Sequence, residues 1–495
     1  MHGLSHYVVI IGAGFAGLGM AIRLRQRGIT DFVLLERATE VGGSWRDNRY
    51  PGCACDVPAP LYAFSFELNP AWQHTFASQA EIWAYLRHCV RKYHLLPHIR
   101  FDHEVSAATW DHPQRCWRVY TNRGELTCTV LITATGALSE PRIPDLPGLA
   151  SFRGPVFHSA RWEHGVNLRQ RRVAVVGTGA SAVQFVPRIQ PHVAALTVFQ
   201  RSAPWILPRG GRDYRRLTQR LYQTVPGLQR LARAASYGSR ELLVLGFAVQ
   251  PRLLALAEWS ARRHLYRQVP DPVLRTKLTP DYAIGCKRIL LSDDYLPALT
   301  RPNVELVASG LAQIGPDWVQ AADGTRRPAD TIIFGTGFHV TDPPMASWIY
   351  GRDGRSLAQA WSGGAQAHRG SAVAGFPNLF LLVGPNTGVG HTSLIYMIES
   401  QVAYLLGALD YLRRSGAAAI EVRPQRQRAY NQALQRRMAG TVWATGGCAS
   451  WYLDAHGRNT TLWPTFTWCF RAATRRFRSQ EYWVHEHAVH PQLRR

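Results

Sequence analysis

Two glycine turns, one beginning at residue 12 and one at residue 177, constrain this chain more than any other feature. Residues 7–11 have a short buried-strand pattern, followed by Gly12-Ala-Gly14-Phe15-Ala-Gly17 and the helix-compatible run 18–27. Gly12 permits the tight turn, Gly14 lets a pyrophosphate approach the backbone, and Gly17 lets helix and strand pack. The helix N-terminus offers free N–H groups to phosphate. The next strand pattern, 32–35, ends in Glu36, a carboxylate placed to accept hydrogen bonds from an adenosine ribose. A second copy follows: strand 172–176, then Gly177-Thr178-Gly179-Ala-Ser181-Ala182, a helix, and strand 196–199. Glu36 stands 24 positions after Gly12 and Arg201 stands 24 positions after Gly177. A guanidinium therefore occupies the place of the ribose carboxylate, where it can pair with a 2′-phosphate; Ser202 can add a hydroxyl contact. Two dinucleotide sites, the acidic one first, imply a protein-bound FAD that receives hydride from NADPH.

The 495 residues are enough for two or three domains, and 46% hydrophobic with 18% charged residues is the composition of a folded chain. The formal charge of +24 comes almost wholly from arginine, since Lys92, Lys277 and Lys287 are the only lysines. These cations are spread along the chain rather than gathered in runs, which argues against nucleic-acid binding and leaves nonspecific attraction to acidic surfaces. The chain starts without a charged leader or cleavage site, and its longest apolar runs, such as 242–249, fall well short of the ~18 residues that span a bilayer. A cytoplasmic protein without a transmembrane segment is expected. The eight cysteines form no zinc pattern, and Cys53 and Cys55 have the wrong spacing for CxxC redox chemistry, so all eight are expected as reduced thiols. A disulfide-type reductase would need a closely spaced pair beside the flavin, which these two do not supply. His485, His487 and His490 lack partners beyond Glu486, and no metal is expected.

At Gly42-Gly-Ser-Trp45-Arg46-Asp-Asn-Arg-Tyr50-Pro51-Gly52-Cys-Ala-Cys-Asp56 the sequence resembles the flavin-contacting motif of type I Baeyer–Villiger monooxygenases, relatives of the flavin-containing monooxygenases. Between the glycine turns, Phe152, Gly154, His158 and Trp162 match that family's FxGxxxHxxxW signature. Glu163 departs from the Pro or Asp that usually follows. Trp162 favours the Baeyer–Villiger branch over N- and S-oxidising relatives, which remain the alternative. Further matches at Ala134-Thr-Gly136, Gly285-Cys-Lys287-Arg288, Gly335-Thr-Gly337, Gly384-Pro-Asn386 and Ser450-Trp451-Tyr-Leu-Asp454 extend the resemblance from about residue 7 to 480. The resemblance implies an α/β fold with two Rossmann-like domains. FAD would bind residues 1–150 plus 375–495, and NADP would bind 151–374, with a helical insertion at about 210–280. Leu254, Ala257, Ala261 and Leu265 form a stripe there that reads as core. Peripheral membrane contact is left open.

The implied chemistry is attack of a C4a-peroxyflavin on a ketone, or another lipophilic substrate, with O2 and NADPH consumed and an ester or lactone formed. The resemblance makes Arg288 the cation beside the peroxide and Asp56 the carboxylate that orients it. Read from residue type alone, Arg288 is a strand-end arginine paired with Asp293 or Asp294, and Asp56 a turn residue. By the same resemblance Phe15, Trp45, Arg46, Tyr62 and Val105 join the flavin contacts. Thr178, Gln184 and Lys287 join the NADP contacts, and Trp451 packs on the nicotinamide half. His158 and Trp162 couple NADP movement to catalysis. Read from its position after the Gly384 loop, His391 is either a support of that loop or a catalytic group. Neither the ketone nor the oligomeric state is legible in the sequence.

Overall fold

The structure, a computed structural model, describes residues 5–486. Its largest sheet has eight strands. His6–Ile11 lies at the centre, pairing in parallel with Phe32–Leu35 on one side and Gly124–Thr133 on the other, in the registers Val8↔Phe32 and Val8↔Val130. Val8, Val9 and Ile10 are fully buried because helices or loops cover both faces, which is why this strand reads as an unbroken apolar run. Cys116–Thr121 and Val105–Asp111 continue the sheet as an antiparallel meander. Ile99–Arg100 pairs in parallel with Phe32–Leu35, and two strands from much later in the chain complete the eight: Ile349–Tyr350 pairs with Val105–Asp111, and Leu379–Leu381 with Gly124–Thr133.

The second sheet is five-stranded and wholly parallel, ordered Val304–Val307, Ala195–Phe199, Arg172–Val176, Thr331–Phe334, Val156–His158. The fold is thus α/β with two parallel-centred sheets, each opened by a glycine turn and a helix, Phe15–Gln26 and Ala180–Ile189. Between Ala195–Phe199 and Val304–Val307 the chain runs through Arg216–Thr224, Pro226–Glu241, Ala255–Gln268 and Pro272–Leu278, all helical. Leu254, Ala261 and Leu265 are buried, and Ala257 is partly buried against Trp443 and its neighbours. No helix among the described residues is long and apolar enough to cross a membrane.

The cysteine expectation needs correction. Cys286 and Cys448 form a disulfide, leaving the other six free. The pair is separated by 162 residues, so no local spacing announces it. Packing brings it together: the Ala283 N–H donates to the Gly446 carbonyl at 3.0 Å, and a Cβ on Gly446 would stand 2.6 Å from the Cys286 Cβ. Only a glycine lets the two segments approach this closely.

Candidate active site

Both glycine turns are built the same way. Gly12 and Gly177 each have φ +104°, a left-handed conformation that suits glycine. A Cβ at Gly12 would lie 2.7 Å from the Ala134 carbonyl oxygen, and one at Gly177 would lie 2.6 Å from that of Gly335. The Ala134 and Gly335 segments noted in the sequence are thus the backbones that close the two turns. Gly14 faces Gly43, leaving a cradle walled by backbone, and a Cβ on Gly17 would collide with the Gly12 carbonyl oxygen. A pyrophosphate needs such an unobstructed approach to backbone N–H groups, so the residues present fit a dinucleotide.

Around the first turn, Glu36 is buried and accepts hydrogen bonds from the Ala13 N–H (2.9 Å), the Ala38 N–H (3.0 Å) and the Arg46 guanidinium (2.9 Å). Burial alone would lower the Arg46 pKa, but Asp47 and Glu36 override it and raise it. The Trp45 indole donates to the Tyr62 hydroxyl at 3.0 Å, and Phe15 meets the Tyr62 ring edge-on at 5.5 Å. Val105 opens the strand Val105–Asp111 of the same sheet and packs against the cluster that holds Trp110 and Trp117.

Around the second turn, the Lys287 ammonium donates to the Ser202 hydroxyl at 2.7 Å and lies 4.6 Å from the centre of the Tyr282 ring. Burial, and then the nearby Arg201 charge, lower its pKa. Arg201, Ser202 and Lys287 therefore gather into one basic cluster, with Arg201 exposed. The Thr178 hydroxyl donates to the Ser202 carbonyl at 3.4 Å. Gln184 also bridges the two halves: its oxygen accepts from the Tyr50 hydroxyl (3.0 Å) and the Ala54 N–H (3.3 Å), and its amide donates to the Ala54 carbonyl (2.9 Å).

Between the two clusters lies an ion pair. Arg288 grips Asp56 with two parallel bonds, Nε to Oδ2 at 2.7 Å and Nη2 to Oδ1 at 2.6 Å. Burial alone would push Asp56 up, but the guanidinium overrides it and holds the carboxyl below its usual value. The Asp56 charge in turn raises Arg288. The alternative partners are engaged elsewhere: Asp293 accepts from the Arg209 and Gly210 N–H groups, and Asp294 pairs with Arg188. Two neighbours were missed in the sequence. Tyr452, buried beside Arg288, is pushed up to about 12 by burial. Arg240, whose pKa burial lowers, feels the charges of Asp56 and Arg288, and its guanidinium makes no hydrogen bond or ion pair among the described residues. It comes from the stretch where the sequence carried fewest family matches, and no local pattern marks it.

Trp451 is largely exposed and packs against Tyr452 at 4.4 Å. His158 is buried and neutral, pulled down to about 4 by burial, with Nδ1 accepting from the Ala160 N–H at 3.1 Å. Trp162 packs edge-on against Phe157 at 5.2 Å. His391 lies 3.1 Å from the buried Glu241 carboxylate, which also accepts from the Thr467 N–H at 2.9 Å. This contact ties the insertion to the Gly384 loop. Among the described residues no group of three His, Cys, Asp or Glu could hold a metal ion, and His487 and His490 lie outside those residues.

Comparison with known proteins identifies the family. Residues 9–209 match the family model described as pyridine nucleotide-disulphide oxidoreductase. A Baeyer–Villiger monooxygenase of Streptomyces coelicolor is 54% identical over 96% of this chain and 92% of its own. The chain belongs to the Baeyer–Villiger monooxygenases. A second member, from Pseudomonas aeruginosa, is 49% identical over 96% of this chain and 90% of that one. Among solved structures, cyclohexanone monooxygenase from Rhodococcus sp. Phi1 bound to NADP+ superposes with a TM-score of 0.86 at 27% identity, covering 98% of this chain and 99% of that one. OTEMO in complex with FAD and NADP superposes at 0.85 and 26%, covering 97% and 100%.

Proposed function

We propose that the Arg288–Asp56 pair is the anion-stabilising centre of an FAD-containing Baeyer–Villiger monooxygenase that consumes NADPH and O2. The balanced reaction is ketone + O2 + NADPH + H+ → ester or lactone + NADP+ + H2O. The observation that carries the assignment is the bidentate pair itself, which joins the Gly52–Asp56 end of the flavin-side motif to the Lys287–Arg288 end of the NADP-side cluster. Bound FAD, once reduced by NADPH, supplies the activation of O2.

The chain's own residues do the rest. Gly12, Gly14, Gly17 and Glu36 hold the adenosine diphosphate half of FAD, with Phe15, Trp45, Arg46, Asp56, Tyr62 and Val105 on the flavin side. Gly177, Thr178, Gly179, Ser181 and Gln184 hold NADP, and Arg201, Ser202 and Lys287 take its 2′-phosphate; Trp451 covers the nicotinamide half. In this assignment residues 1–150 and 375–495 serve FAD and 151–374 serve NADP, with Ile349–Tyr350 pairing into the FAD-side sheet. Arg288 keeps its charge at any working pH and presents a fixed cation to the negative charge that develops on oxygen beside the ketone. Asp56 fixes the plane of that guanidinium. His158 stays neutral and adds no competing charge. The substrate is a lipophilic ketone, and the enzyme works in the cytoplasm, where NADPH is supplied.

Replacing Arg288 with Ala should leave reduction of bound FAD by NADPH within a few-fold and lower ester formation by about 10^2–10^3, read as product by mass spectrometry. Unchanged ester formation in Arg288→Ala would take Arg288 out of the mechanism.

A further inference from the structure

The helical insertion carries exposed apolar side chains that none of the core clusters takes up. Fourteen of the twenty-one exposed large hydrophobic side chains of the described residues lie between residues 217 and 273. Leu217, Leu231, Leu242, Val249, Leu256 and Trp259 are each more than half exposed. Isolated exposed leucines are ordinary, but a concentration of this kind marks a surface that something covers. The same stretch is strongly basic: residues 210–280 hold thirteen Arg and Lys against four Asp and Glu. Arg215, Arg216, Arg220, Arg252, Arg263 and Arg267 are exposed and form no ion pair among the described residues.

The two properties are interleaved. Four exposed leucines directly follow an exposed arginine, at 216–217, 220–221, 230–231 and 252–253. Leu217 and Leu221 are four apart on one helix, and Leu228 and Leu231 three apart on the next, so each pair shares a face. A short apolar side chain beside a long cationic one suits an interface between hydrocarbon and anionic headgroups: the leucine enters and the guanidinium stays at the phosphate level. A second copy of the chain would bring a net +9 against +9 and be repelled, whereas an acidic lipid surface is attracted. The stripe read as core from the sequence, Leu254, Ala261 and Leu265, is buried. On the same helix, Ala255–Gln268, Leu256, Trp259 and Tyr266 lie on the exposed side.

We propose that this face docks the enzyme on an anionic lipid bilayer. The helix Pro226–Glu241 then links membrane and site. Leu228 and Leu231 face outward, while on the inner face Arg233 donates to the Pro60 (2.7 Å) and Ala63 (3.0 Å) carbonyls, and Arg240 and Glu241 reach the Asp56 and His391 surroundings. A lipophilic ketone dissolved in the bilayer would enter along this helix. The docking itself does not depend on which ketone is oxidised.

The test is sedimentation of the full-length holoenzyme with phosphatidylcholine vesicles, pure or carrying phosphatidylglycerol, at low and high salt. The expected result is binding to the acidic vesicles alone, weakened by salt, with slowed hydrogen exchange across residues 216–259. The variant Leu217→Ser/Leu231→Ser/Leu256→Ser keeps every charge and should bind about tenfold or more weakly, with its flavin content unchanged. Equal binding by that variant would overturn the proposal, since charge alone would then suffice. Absence of binding would also overturn it, as would a dimer in solution that the variant dissociates, since a second copy would then cover the face. Because no readout uses ketone turnover, a failed oxygenation assay and a failed docking assay are separate results.

Discussion

The two nucleotide-binding turns have the same backbone construction but opposite chemistry. In each, the glycine N–H donates to the end of the neighbouring strand, Gly12 to Leu35 at 2.8 Å and Gly177 to Phe199 at 3.0 Å. The closing segments, Ala134 and Gly335, donate back to Ile11 and Val176, both at 2.8 Å. The residue 24 positions on then diverges. Glu36 is buried and locked by two backbone N–H groups and Arg46, whereas Arg201 is exposed and shares its surroundings with Lys287. The first site is organised inside the protein and suits a cofactor that stays. The second is open and basic, and suits one that arrives, delivers hydride and leaves.

The sharpest way to break this contrast is at the fifth residue after each turn's first glycine. In the second turn the equivalent residue, Ala182, already carries a Cβ, and even a Cβ added at Gly335 would stand 3.5 Å from it. In the first turn a Cβ at Gly17 would meet the Gly12 carbonyl oxygen, so Gly17→Val should abolish FAD retention, giving colourless protein by flavin absorbance. A yellow, folded Gly17→Val protein would refute the tighter packing of the first site. The next effect is on stability. The Cys286–Cys448 bond closes a loop of 162 residues and straps the Lys287–Arg288 segment of the open site to the segment carrying Trp451. Cys448→Ser should cost about 2–4 kcal/mol, seen as a lower melting temperature that reductant does not lower further. A wild-type melting curve insensitive to reductant would remove the strap.

Both turns, their 24-residue spacings and the place of Arg201 and Ser202 were legible because local backbone demands write themselves as glycine positions and strand ends, whereas Lys287 was singled out by the family motif alone. The partner of Arg288 was not legible from residue type: Asp293 and Asp294 were nearer in sequence, and only the family motif singled out Asp56, 232 positions away. The disulfide was invisible for the same reason, its members being united by a glycine contact at Gly446 rather than by spacing. Arg240 and the exposed leucines were obscured for another reason. In the insertion helices apolar residues occur on both faces, so periodicity identifies the buried stripe but cannot say that the opposite one lacks a cover. Gln184, expected among the NADP contacts, also bridges Tyr50 and Ala54, a tertiary contact that its residue type does not signal.

The contrast can be sharpened quantitatively at the open site. Arg201→Ala should raise KM for NADPH by about 10- to 100-fold, as befits loss of one charge-assisted contact, and leave KM for NADH within about twofold. Equal losses with both coenzymes would assign the 2′-phosphate to another residue. The smallest effect concerns pH. Burial first, and the Arg201 charge second, depress the Lys287 pKa, with Asp281 opposing them. The free-enzyme ammonium therefore loses its proton at a lower pH than an ordinary lysine, and its attraction for a 2′-phosphate is full below that depressed pKa and fades as pH rises through it. Arg201 keeps its charge throughout. The ratio of kcat/KM for NADPH over NADH should accordingly decline a few-fold on the alkaline side, below the ordinary lysine range near 10.4, without falling to unity. In Lys287→Arg the decline should vanish, because a guanidinium does not titrate there. A ratio that falls identically in wild type and Lys287→Arg would place the titrating group elsewhere and take the Lys287 charge out of phosphate recognition.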